Sequence, residues 1–433
     1  MRPVPAGTPV ARTLPLVARY TWALQWPSAA LEGLAAGIIG LSAFIVKRSL
    51  GAPEWAVPVL IALWQLVWVF APGIGPFLAR AHPQRLWRVL AFATFLPLFG
   101  IAFVDVTPAE AEGHGHGHGN LTLFMVLMAL HYGAAIASVP HRGALLRTNY
   151  PQHVRGRMFG LFLVANLLAA AVAAKSAGYL LDSDPRWVRV IYPAASASGI
   201  AAFLLMGRIR WRRSREARRL AAAASHGVAK AMTHAWRETF RILREDKAFG
   251  TYERGFMLYG LGFLSSVGLL VLYAEERLHL SYDGFTSAQS VAFPLAQIAG
   301  AALFGRLSDR RGVVRTTAVS FFLLCVFFGL MPLVGSAVGL AAACVLWGIA
   351  MGGVNVGWSL GPLHFAPDGQ AHMYGAVHFC MVGIRSLIGP FLGFAMKKHF
   401  GFPAAFALSA VLVASGGVTV WRLGHVPSRA AVS

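Results

Sequence analysis

The stretch GRLSDRRGVVR, Gly305 to Arg315, sets four arginines and one acid, Asp309, between two long apolar runs. Apolar runs of about 20 residues match the hydrocarbon thickness of a bilayer at 1.5 Å per helical residue. The polar stretch therefore reads as a short connection between two membrane crossings. Everything outward from it follows the same alternation.

Of the 433 residues, 57% are hydrophobic and only 13% charged, against about 25% charged in ordinary soluble domains. Twelve spans are predicted, near 27–46, 55–76, 88–104, 121–140, 158–181, 188–207, 253–274, 285–305, 315–334, 338–362, 374–396 and 402–421. Spans 9 and 10 nearly fuse across Gly335 and Ser336. The proline-rich first 26 residues lack the compact apolar core of a signal peptide.

The net charge of +21 has a topological meaning. With the amino terminus placed inside, 28 of the 38 lysines and arginines fall on the inner side and 7 on the outer. This is the positive-inside asymmetry, which puts both termini in the cytoplasm and removes the case for nucleic-acid binding. Cys325, Cys344 and Cys380 all fall within spans and read as small packing residues.

The chain divides into a tail (1–26), six spans (27–207), a basic connector (208–252), six more spans (253–421) and a second tail (422–433). In the connector, Trp236, Phe240 and Leu243 recur at helical spacing among arginines. That pattern suits either an amphipathic helix on the inner leaflet or a solvated linker. The halves correspond: GPFLARAHPQR, Gly75 to Arg85, matches Gly305 to Arg315 with Arg80 opposite Arg310, although Ala79 replaces the acid. MFGLFLVAN from Met158 pairs with MYGAVHFCM from Met373, each opening the fifth span of its half.

The residues Gly305, Asp309, Arg310, Gly312 and Arg315 resemble the loop signature of the major facilitator superfamily. YPQHVRGRMFG, Tyr150 to Gly160, is similar to that family's approach to span 5, with Arg155 and Arg157. The resemblance implies an all-α polytopic membrane protein: twelve transmembrane helices in two six-helix bundles related by pseudo-two-fold symmetry. It also implies a cytoplasmic latch in which Asp309 sits near a helix amino terminus beside Arg155 or Arg157. An ordinary solvated turn is the alternative. The implied substrate path runs between the halves, near the midplane.

Ionisable residues inside spans are then candidates, since a charge at the bilayer centre costs at least about 2.5 kcal/mol. Arg385 sits mid-span in HFCMVGIRSLIGP and needs a counter-charge, carbonyls or an anionic substrate group. His378, seven residues earlier, lies on the same helical face. Asn355 and Trp358 share a face of span 10, and His131 lies mid-span 4. These five are the predicted substrate-binding set; each has a bland alternative as a packed or hydrogen-bonded core residue. Glu32 reads as the only acid well within a span, available to carry a proton, to pair with Arg385 or to snorkel. Lys175 is expected to snorkel to the outer surface.

EGHGHGHGN, residues 112 to 120, aligns His114, His116 and His118 as three imidazoles on one side of an extended segment. The second repeat is 15 residues shorter over the matching interval, so these histidines fall in an outer-loop insertion. They read as a metal-collecting tether or as a flexible polar loop. No Walker, zincin or nucleophile-elbow motif is present, which argues against an enzyme. The expectation is a monomeric, cofactor-free secondary transporter in a bacterial inner membrane, moving a small solute by alternating access. Proton coupling and uncoupled facilitation are its two versions. The alternative is a non-transporting receptor or assembly factor, marked by the lack of an accessible polar cavity.

Overall fold

The computed structural model describes residues 15–78, 81–106, 117–138, 142, 145, 148–210, 228–367 and 370–424, which contain helices and turns and no strand. The helices are α1 (Leu16–Ile39), α2 (Ser42–Arg48), α3 (Ala56–Leu78), α4 (Pro83–Gly100), α5 (Gly117–Ala135), α6 (Gln152–Ser183), α7 (Val188–Met206), α8 (Val228–Glu245), α9 (Lys247–Glu276), α10 (Tyr282–Thr286), α11 (Phe293–Arg311), α12 (Val313–Leu330), α13 (Ala337–Phe365) and α14 (Ala371–Arg422). Nine helices among the described residues are long and apolar enough to cross a membrane. Two shorter apolar segments, Ala56–Gln65 and Asn120–Ala135, join them.

Local chemistry fixes the breaks. The Gly305–Arg315 stretch is mostly helix: α11 runs on to Arg311, and the turn is confined to Gly312 at φ 80°. A side chain there would be strained, so glycine is required. Ser336 caps α13 through Oγ, which accepts from Gly339 N at 3.1 Å. Spans 9 and 10 are thus cleanly separated, contrary to the near-fusion read from the sequence. The run that does fuse is α14, interrupted only at Gly401 with φ 80°. Asp246 caps α9, its Oδ1 accepting from Phe249 N at 3.0 Å. That cap extends the seventh span six residues upstream of its predicted start and moves Glu253 from its first residue into its second turn.

Lipid offers no hydrophobic drive for helix association, so packing and interhelical hydrogen bonds hold such a bundle, each bond worth roughly 0.6 kcal/mol. Ser28 Oγ donates to Ala202 O (2.9 Å), Ser198 Oγ to Leu31 O (2.6 Å) and Asn166 Nδ2 to Ala29 O (3.1 Å), tying α1 to α6 and α7. Across the two sequence halves, α3 packs against α14 and α6 against α10 and α11.

The connector helix α8 forms, but it does not simply rest on a leaflet. Thr239 and Ile242 are buried against the bundle, where α8 meets α3, α9 and α14. Phe240 and the basic Arg237, Arg241 and Arg244 remain exposed. The side of the bundle that carries α8 is the connector face, and the opposite side the far face.

Candidate functional site

A cavity of about 720 Å³ opens among α1, α3, α4, α5 and α7 of the first half and α9, α11 and α13 of the second. Along α1 and α2 it extends from Glu32 to Ala43, roughly 16 Å at helical rise. His131 and Ala135 of α5 line it, with Ser138 and Arg142 further along the chain. Most of the wall is apolar or aromatic, with Trp64, Tyr132, Phe263 and Trp347 present.

Its polar groups are few and placed at definite depths. At the connector-face end Arg142 makes a bidentate pair with Glu32, both N–O distances 2.6 Å. The side chains are 36% and 25% exposed, so the pair remains in reach of a solute. Trp87 and Phe203 flank the guanidinium at 5.6 and 5.4 Å. Deeper in, His131 donates from Nδ1 to Thr94 O at 2.7 Å, since a carbonyl can only accept. Gln65 and Gln289 face the cavity from opposite halves.

Arg385 and His378 are not on this wall. They lie in a second, buried polar centre around α9 and α14, 3% and 2% exposed. His378 Nδ1 sits 2.8 and 3.1 Å from the two oxygens of Glu253, which is 1% exposed. Arg385 donates from Nη1 to Phe256 O, and its guanidinium lies 5.5 Å from the Tyr259 ring and 5.4 Å from that of Trp358. It approaches α9 so closely that a Cβ on Gly260 would fall 2.2 Å from its Cδ. Of the three readings of Glu32, the pairing with Arg385 is corrected: Glu32 pairs with Arg142. Glu32 is also not the sole acid within a span, because the longer α9 encloses Glu253. Trp358 belongs to the buried centre, edge-to-face with His378 at 4.4 Å, while Asn355 is half-buried and off the cavity wall.

At the far face the two halves are tied by charge. Lys397 Nζ bridges Glu54 at 2.6 Å and Glu276 at 2.7 Å; Lys47 reaches Glu276 at 3.2 Å and Arg48 reaches Glu275 at 3.0 Å. Lys175, its side chain well exposed, pairs with Asp283 at 2.5 Å and Ser287 Oγ at 2.6 Å. Asp182 accepts from the backbone N of Tyr282 and Asp283, both at 2.7 Å. Below these, Phe44 stacks on Phe285 with centroids 4.2 Å apart.

The remaining predicted residues are dispersed. Asp309 and Arg310 are exposed on the last turn of α11, a helix carboxyl end, and Asp309 makes no ion pair with the described residues. Gly305 lies within α11, Arg315 in the first turn of α12, and Arg155 donates from Nε to Tyr150 O at 2.9 Å; Arg157 is exposed. No Asp309–Arg155 or Asp309–Arg157 pair joins these elements in this conformation. His114 and His116 lie outside the described residues; of His118 the structure gives only its place in the first turn of α5. Ala79 and Arg80 also lie outside them.

Sequence reasoning missed Arg142, Glu253 and the far-face network. No helical spacing flags Arg142, which lies past the end of α5. Asp246 as a helix cap would have flagged Glu253 as intramembrane.

An all-helical membrane protein with a cavity between its halves and closure at one face has the architecture of a membrane transporter. A family model described as Major Facilitator Superfamily matches residues 113–384, and the chain belongs to that family. Among solved structures, a POT family transporter in complex with 5-aminolevulinic acid is 13% identical, with a TM-score of 0.70 over 93% of this chain and 96% of that one. The xylose transporter XylE from E. coli, in a partially occluded inward-open conformation, is 13% identical, with a TM-score of 0.60 over 94% and 98%. A mutant of the nucleoside transporter NupG is 10% identical, with a TM-score of 0.65 over 94% and 100%. At these identities the likeness is one of fold.

Proposed function

We propose that this protein is a secondary transporter of a small solute, working by alternating access in a bacterial inner membrane. Its passes number twelve when α14 is divided at Gly401 and the two shorter apolar segments are included. They fall into two six-helix halves, 27–207 and 253–421, with both termini and α8 on the cytoplasmic side. The far face is then periplasmic, and the described conformation is closed there.

One observation carries this reading: a largely apolar cavity with a few polar groups lies between the halves, beneath ion pairs that join those halves at one face only among the described residues. Breaking those pairs while closing the connector face would expose the same cavity to the opposite side. A receptor on this scaffold would need no such cavity, although the burial of Arg385 is the feature it would share. The solute meets Glu32, Arg142, His131 and Gln289 on a largely aromatic wall, which suits a small molecule with an apolar body and a polar head. Both oxygens of Glu32 are engaged by Arg142, so its role is read as orienting that guanidinium rather than carrying a proton alone. Asp309 with Arg155 or Arg157 is retained as a latch of the opposite, outward-open state.

The test is uptake and efflux in proteoliposomes, with candidate solutes first selected by ligand-induced thermal shift. Saturable flux in wild type that is lost in Arg142→Ala supports the reading. Saturable binding with no flux in either direction, with or without a pH gradient, overturns it.

A further inference from the structure

The junction of α8 and α9 holds a second cavity, of about 560 Å³, that shares no lining residue with the solute cavity. We propose that it is a phosphate-recognition site on the connector face, and that its occupant is the headgroup of an anionic phospholipid. This rests on the transporter reading only for placing that face against the inner leaflet.

The cations converge from two elements. Lys247, Thr251 and Arg254 follow one another at spacings of 4 and 3 residues, which puts them on one face of α9. Arg244 joins them on the cavity wall from the last turn of α8. The two helices are close there: a Cβ on Gly250 would fall 2.6 Å from Leu243 O. Three positive charges and one hydroxyl therefore line a single concave space.

The neighbouring acids are engaged elsewhere. Glu245 pairs with Arg241 at 3.0 Å, an arginine that also holds Glu238 at 2.7 Å. Asp246 accepts from Phe249 N at 3.0 Å and from the Tyr374 hydroxyl at 2.9 Å. Glu253, although part of the cavity wall, has its two oxygens 2.8 and 3.1 Å from His378 Nδ1. Arg244, Lys247 and Arg254 make no ion pair among the described residues, whereas Arg241 one turn away makes two. Like charges around one cavity repel, and an anion seated between them turns that repulsion into attraction.

The rest of the wall points to a lipid. A guanidinium presents paired donors that match phosphate oxygens, and an ammonium adds a compact charge. Beside these groups the cavity is lined by Leu243, Met257 and Met381. Such an apolar floor suits a phosphodiester that continues into hydrocarbon, more than a fully hydrated phosphate. Phe240, one turn back on α8, is 52% exposed among the exposed Arg237, Arg241 and Arg244. An aromatic ring left open beside basic residues belongs at the level where headgroups meet acyl chains. A headgroup held by both helices pins the connector to the first span of the second half.

The experiment is native mass spectrometry of the full-length protein in detergent. It is titrated with phosphatidylglycerol or with phosphatidylcholine of the same acyl chains. Wild type is expected to retain one phosphatidylglycerol at lower concentrations than phosphatidylcholine. Arg244→Gln with Lys247→Gln and Arg254→Gln should weaken phosphatidylglycerol binding about a hundred-fold, and Arg254→Gln alone about five-fold. The single variant decides the matter if the triple one fails to fold. Arg237→Gln with Arg306→Gln and Arg311→Gln removes as many exposed charges outside the cavity and should keep the preference. No preference in wild type, or equal losses in the two triple variants, overturns the site. Inorganic phosphate and glycerol phosphate serve as competitors. Displacement only far above the lipid concentration supports the lipid headgroup; displacement at or below it overturns that assignment in favour of a soluble phosphate. No solute is needed, so a failure here and a failure of the transport reading are separate results.

Discussion

Arg142 grips Glu32 with two 2.6 Å contacts, joining the end of the fourth span to the middle of the first inside the solute cavity. The pair is partly exposed, so it adds about 1 kcal/mol or less to stability. Its value lies in holding a planar, two-pronged donor in a fixed place. Arg142→Ala is expected to leave the melting temperature nearly unchanged while cutting solute flux at least about ten-fold, equivalent to about 1.4 kcal/mol. The exchanged variant Glu32→Arg with Arg142→Glu should recover folding but not flux if the solute reads the guanidinium's position. Flux equal to wild type in Arg142→Ala removes the pair from the site.

Gly260 is predicted to be a stability position, because Arg385 occupies the space a side chain would need. Gly260→Ala should cost about 1–3 kcal/mol as an overpacked core does. Gly133, with no atom within 4 Å of an added Cβ, is the matched control and should tolerate alanine. Thermal unfolding in detergent measures both, and equal melting temperatures would contradict the packing described.

Lys397 serves two carboxylates of different halves at once, Glu54 and Glu276. Lys397→Ala is expected to loosen the far face. In a background without Cys325, Cys344 and Cys380, a cysteine at Ser287 should then react faster with a membrane-impermeant thiol reagent added from the far side. An unchanged labelling rate would mean that these ion pairs do not hold the face shut.

Asp309 is exposed at a helix carboxyl end, where the dipole disfavours an acid. On the latch reading, Asp309→Asn should slow transport without lowering stability. A transport rate unaffected by this change sinks the latch. Deletion of 113–119 should leave transport of a non-metal solute intact, since the described residues that line the cavity and tie the far face lie elsewhere in the chain.

Much of this molecule was legible in the chain because the membrane constrains it so strongly. Run length marked the long apolar helices, and Gly312 marked the turn of the signature stretch. The common face of His378 and Arg385 was also readable, since both approach Trp358. What they face was not, because hydropathy cannot tell a cavity wall from a helix contact. Glu253 was overlooked because the predicted boundary fell on it rather than at the Asp246 cap. The pairs Lys47–Glu276 and Arg48–Glu275 join residues more than 220 positions apart, and no local pattern announces such a meeting.

The measurement that tests alternating access most directly is the pair of distances between spin labels at Ser183 and His279 on the far face and at Arg85 and Arg310 on the connector face. The account predicts two populations at each face, with the far-face distance lengthening as the connector-face distance shortens when pH or a thermal-shift-selected solute is varied. A single, fixed distance at both faces under every condition would contradict it.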